Sequence, residues 1–243
     1  MTTARYWTAQ AIIDQAAIEC GLAAPGTGVY TSTDANVILL RSLLNTAGQG
    51  LALAHHWPAL ISEHTITVAN PGDTGTYTLP TDFNGFVDDT GWNRTGDTRL
   101  VPVSPQVWQY IKAGGVSSTL SVFFRLDQDS LRVETLPANG TVLAFEYWSR
   151  YWARATASAA RDQTTCGVYT DVVYYEPTMM VALLCLRFKE VRGHDTSTSL
   201  LQFERLFDAA SSRTVAARPL DIGGGRGFKF IDTDNAPDTG YGS

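Results

Sequence analysis

The 243 residues include 44% hydrophobic and 11% aromatic side chains but only 17% charged ones, against roughly 25% in an ordinary soluble chain, which excludes a disordered protein and bounds the fold at one large or two small domains. With 18 Lys and Arg against 24 Asp and Glu, a formal charge of −6 and an isoelectric point near 5.1, the chain is too acidic to hold nucleic acid by phosphate neutralisation. Any DNA that meets it is expected to pass without tight binding.

Ala9, Ile12, Ile13, Ala16, Ala17 and Cys20 share one helical face, and Gly21 follows where a left-handed residue is wanted, so a first helix is predicted over 4–20. The apolar stretch at Ala11, Ile12 and Ile13 gives way at once to Asp14 and Gln15, too short for a signal peptide. The longest apolar run, 178–186, is about half of the roughly 20 residues a bilayer crossing needs. A cytoplasmic chain without a membrane partner is expected. Cys20, Cys166 and Cys185 form no CxxC pair and read as reduced structural thiols.

After a loop at Pro25, Gly26 and Gly28, Asp34 is placed to accept the free amides of a second helix. Val37, Leu40, Leu44, Ala47 and Leu51 recur there at spacings of three and four up to His56, and Pro58 ends it. Arg41 is its sole full charge, and Ala47, Gly48, Gly50, Ala52 and Ala54 keep it thin, which predicts a helix buried on more than one side.

From His64 the period becomes two. Strands are predicted over 64–68 and 76–79 with Asn70 to Gly75 as the turn between them, then over 120–126, 130–136 and 141–148, which together read as an antiparallel meander. Ser104 and Pro105 open a short helix inside it, with Val107, Trp108 and Ile111 on one face. Glu176 and Pro177 open a further helix through Met179, Met180, Leu183, Leu184 and Leu186 to Gly193. A last one spans 197–214 through Phe203, Leu206, Phe207 and Ala210. Gly223 to Gly225, Gly227, Pro237 and Gly240 mark the remainder as an extended arm.

Strands in one block between helices predict an α+β fold. Its parts are a helical bundle drawn from both ends of the chain (1–62 and 170–215), an inserted antiparallel β module (63–152), a linker (153–169) and an extended C-terminal arm (216–243).

No pattern assembles an active site. His55, His56 and His64 lack a helical partner at i+4 for a metal, and Ser62-Glu63-His64 is merely contiguous. Gly223 to Gly227 has no GK[ST] ending and opens no helix. Asp82, Asp88 and Asp89 have acid-base chemistry in a segment whose Gly and Asn favour turns. Trp92, Trp108, Trp148 and Trp152, with Tyr147 and Tyr151, suit either an interior and its interfaces or a sugar-binding platform. The expectation is a non-enzyme with no catalytic, cofactor or metal site; the alternative is a carbohydrate-binding or hydrolytic component working through Asp82 or Asp88.

The order of segments carries a resemblance. A helix ending in Cys20-Gly21-Leu22 is followed by an Asp34-led helix ending in His56-Trp57, then by Tyr77-Thr-Leu-Pro-Thr-Asp-Phe83, Asp88-Asp89 and Trp92. Pro105-Gln-Val-Trp108, the hairpin from Phe124-Arg125 to Leu136-Pro137, Phe145-Glu-Tyr147 with Trp152, and the helix from Pro177 through Leu186-Arg187-Phe188-Lys189 come next. This set resembles the head-to-tail adaptors of tailed bacteriophages, in particular the tail tubular protein A group of short-tailed phages. The resemblance implies a virion protein at the head-tail junction, a homo-oligomeric ring of twelve copies that joins the portal to the tail nozzle, with tail fibres as a further partner. In such a ring the second helix would meet a neighbour at Ala47, Gly48 and Leu51. Arm residues Arg218, Phe228, Phe230, Ile231 and Tyr241 would contact the portal or an adjacent subunit.

Overall fold

Helix α1 (Ala9–Glu19) begins later than its periodicity predicts, because the residues before it are committed elsewhere. In the computed structural model, which describes residues 5–69, 72, 74–115 and 122–214, Thr8 bridges Val172 and the Trp7 carbonyl accepts the Val173 amide at 3.0 Å. Thr8 also accepts the Ala11 amide as the helix cap, and Gly21 closes the other end at φ +75°. Helix α2 (Ala35–Ala54) is capped by Asp34, whose carboxylate accepts the Asn36 amide at 2.7 Å. It ends before Pro58 as chain sterics require.

Among the described residues ten strands follow, β1 (Ile61–Thr67), β2 (Thr76–Thr78), β3 (Phe83–Phe86), β4 (Trp92–Asn93), β5 (Thr98–Pro102), β6 (Val122–Asp127), β7 (Ser130–Glu134), β8 (Val142–Ser149), β9 (Ala153–Arg154) and β10 (Val172–Val173). Helix α3 (Pro105–Tyr110) lies between β5 and β6, capped by Ser104. Helices α4 (Pro177–Arg192), closed by Gly193 at φ +70°, and α5 (Ser197–Thr214) complete the described chain. Proline at N1 of α3 and α4 and glycine at the end of α4 are where helix termini favour them.

The large sheet runs β1-β8-β4-β5-β6-β7-β2, with β3 also on β8. It corrects the meander in two ways. β1 does not pair with β2: it lies along β8 over seven residues, Ile61 opposite Trp148 to Thr67 opposite Val142, while the three residues of β2 pair with β7. The longer apolar match outcompetes the nearer turn. β5 and β6 are parallel, so the module is mostly antiparallel rather than wholly so. A parallel pair needs a crossover, and the segment carrying α3 supplies it.

Two cores result. Leu143, Phe145 and Tyr147 alternate along β8 and bury against Leu100, Phe124, Leu131 and Val133. The other core gathers α1, α2, α4 and α5 around α4, whose Met179 to Leu186 are all buried. Trp152 and Cys166, from the chain joining β8 to α4, belong to this second core. By length and composition α2 would suffice to cross a bilayer. Its Val37, Leu40, Leu44, Ala47, Gly48, Leu51 and Ala52 instead face the chain's own core.

Candidate assembly surfaces

Gly48 sets how closely α2 can approach the body. A Cβ built there would lie within 2.7 Å of three ring atoms of Trp152, so the bare backbone rests on the indole face. The Gly48 carbonyl accepts the Tyr175 hydroxyl at 2.9 Å, and Tyr175 stacks on Trp152 with ring centroids 6.0 Å apart. Trp57 packs its edge on Tyr175 and donates its indole N–H to the Leu51 carbonyl at 2.9 Å. Trp152 donates to the Thr164 carbonyl at 2.7 Å. Each aromatic polar atom thus has a partner inside the chain, as buried Tyr and Trp require.

Of the three α2 residues assigned to a subunit interface, Gly48 therefore contacts its own Trp152, while Ala47 and Leu51, also buried, line a groove against α4 and α5. The opposite side of α2 carries Ile38, Ser42, Gln49 and Leu53, with Thr46 between it and the groove; all five are exposed and uncharged, and Leu53 is 74% exposed. The helix's single cation is turned away from this side, with Arg41 donating to the Tyr30 carbonyl at 3.1 Å. A surface helix ordinarily shows charges to water, so a face of this composition suits protein contact. The absence of charge was legible in the sequence, but which side it would expose was not.

The arm residues Arg218, Phe228, Phe230, Ile231 and Tyr241 lie outside the described residues.

Asp82, a candidate acid or base, is a structural tie. Its carboxylate accepts the Tyr147 hydroxyl at 2.9 Å and the Ser149 hydroxyl at 2.5 Å, and its carbonyl accepts the Arg150 amide at 2.8 Å. Burial, and then the bond to Asp82, push the Tyr147 phenol up to about 12, so it stays a donor at neutral pH. Arg161 donates to the Ser62 hydroxyl at 2.7 Å and the Ile61 carbonyl at 2.9 Å, fastening the segment after β9 to the start of β1. Asp82→Ala would strand two hydroxyls, at about 1–3 kcal/mol each. A loss of unfolding free energy of that size, read from the lowered urea midpoint, is expected, with Asp82→Asn milder.

Asp88 and Asp89 sit at the sheet surface, where Asp89 is ion-paired to Arg99 and bends the chain at φ +65°. Trp108 and Trp152 are buried and Trp148 stacks on His56 at 4.6 Å, so these three rings pack within the chain, whereas Trp92 lines a cleft of about 640 Å³ with Glu63 and Glu146.

His55 meets Trp57 and Phe207 edge-on, and His64 meets Phe145. Burial holds both imidazoles below the ordinary histidine value, with nearby His56 adding to this at His55 and Asp82 opposing it at His64. Below about pH 6.5 the unfolded chain therefore binds more protons than the folded one. Stability should be full above that pH and fall as the pH drops, and His64→Gln should flatten the slope of urea midpoints measured between pH 7.5 and 5.5.

A family model described as SU10 adaptor protein matches residues 7–223, most of the chain. No curated protein matches it.

Proposed function

The chain belongs to the SU10 adaptor protein family, a family of bacteriophage structural adaptors, and from that premise we propose that it forms the homo-oligomeric ring joining the portal to the tail nozzle. In this reading the protein is of the tail tubular protein A type, twelve copies close the ring, and DNA leaves the head through its centre. Residues 1–62 and 170–215 make the helical ring body, 63–152 project toward nozzle and fibres, 153–169 connect the two, and 216–243 clasp the portal.

The observation that carries the proposal is the uncharged outer side of α2. A head-to-tail ring needs two different surfaces on every subunit, at least one depleted of charge at its centre. Ile38, Ser42, Thr46, Gln49 and Leu53 offer such a surface, since none belongs to the chain's own hydrophobic core, although Gln49 also donates to the Thr164 carbonyl at 3.4 Å and Thr46 borders the groove against α4 and α5. The acidic balance suits the channel, because a wall dense in Lys and Arg would hold phosphates by counterion release and retard the exit of DNA.

A reconstruction of the phage particle tests the placement. Density for this chain is expected as a closed ring between portal and nozzle. Its presence only in fibres, or as isolated subunits, would contradict the proposal.

A further inference from the structure

The groove between α2, α4 and α5 has a volume of about 340 Å³ and is lined chiefly by Leu43, Ala47, Leu51, Leu183, Phe203 and Phe207. Arg187 is the charged residue of its lining, with Nη1 2.9 Å from the Glu190 carboxylate. Phe203 and Phe207, one wall of the groove, lie on α5, the last described element, which ends at Thr214; the sequence then runs on to Ser243.

That remaining segment holds Phe228, Phe230 and Ile231 with Lys229 among them, followed by Asp232, after the glycine-rich sequence Gly223 to Gly227. Its length suits a return to the groove. Residues 215–227 separate Thr214 from Phe228, and a flexible linker of about thirteen residues has an r.m.s. reach of roughly 20 Å. The way back along α5 from Thr214 to Phe207 and Phe203 is roughly 10–16 Å, at about 1.5 Å per residue. A tether matched to its span presents its end at a millimolar effective concentration, above what any separate molecule reaches in dilute solution.

We propose that in the unassembled subunit the groove is covered by the same chain's own segment Phe228–Asp232, with Phe230 and Ile231 on the apolar floor and Asp232 facing Arg187. This rests on the reading of 216–243 as a docking arm and gives that arm a resting seat. Two apolar surfaces that would otherwise meet water cover each other, and the clasp becomes available when a competing partner draws the segment away.

Methyl NMR of the full chain tests this. Nuclear Overhauser contacts from the Phe230 ring to the methyls of Leu51 and Leu183 are expected, unchanged on tenfold dilution. They should be lost in Phe230→Ser and in a chain ending at Ala217, and a separate peptide of residues 218–243 should restore the groove shifts only at millimolar concentration. Identical methyl spectra for the full and shortened chains would overturn the proposal. So would contacts that appear only as the particle mass doubles, since the occupant would then come from a second copy. Binding of the same samples to portal rings is scored separately: portal binding without these contacts removes the resting seat alone, whereas contacts without portal binding count against the adaptor reading alone.

Discussion

Gly48→Glu is expected to leave no stably folded chain. Any Cβ at this position must push into the Trp152 indole, which is itself fixed by its bond to Thr164 and by Tyr175. Overpacking of this kind costs about 1–3 kcal/mol even for alanine. Glutamate adds a carboxylate with no water or partner, and the sum approaches the roughly 5–15 kcal/mol that separates folded from unfolded domains. Residues of low bulk on α2 suggested a neighbour's approach, for which a charge at 48 would block assembly and spare folding. The structure shifts the expected effect to folding. Circular dichroism and urea titration of Gly48→Ala and Gly48→Glu separate the cases: a cooperative transition near the wild-type midpoint for Gly48→Glu would show that Trp152 is not the obstacle.

Leu53→Glu is expected to do the reverse. Its side chain is 74% exposed, so folding stability should change by no more than about 0.5 kcal/mol. In a ring that buries the outer side of α2, the unpaired charge costs on the order of 3 kcal/mol per contact or more. At about 1.4 kcal/mol per factor of ten, that weakens each contact at least a hundredfold. Every subunit of a ring carries the change, so rings should be absent at concentrations where the wild type forms them. Removal of the chain after Ala217 should leave the body folded but unable to join portal-containing heads, because Phe228, Phe230 and Ile231 are lost with it. Infectious particles that incorporate the truncated chain normally would remove the clasp from the account.

The helices were legible because most of their ends are signalled locally, although α1 starts later and α2 stops earlier than their periods predict. Asp34 caps α2, Ser104 and Pro105 open α3, Gly193 closes α4, and α5 occupies the span its apolar period predicts. The sheet was legible in β1, β2, β6, β7 and β8, whereas β3, β4, β5, β9 and β10 were not read as strands. β4 and β9 have two residues each, too few to show a period, and β3 carries Asn84 and Gly85 where strand propensity is weak. Pairing was not legible either: the choice of β8 over β2 as the partner of β1 depends on apolar matches between distant segments. The same holds for function. The low charge of α2 could be read directly, but the commitment of Gly48 to Trp152 and of Asp82 to Tyr147 and Ser149 joins residues far apart in the chain.

The proposed ring is tested most directly by the mass of the particle formed with the portal. Light scattering on a chromatographed mixture of this chain and portal rings should give one complex whose excess mass is a whole-number multiple of the 26.4 kDa chain, twelve by the family resemblance. Leu53→Glu and the chain ending at Ala217 should each fail to form it. Portal rings that elute at their own mass beside folded wild-type chain, at concentrations well above those in an infected cell, would contradict the account.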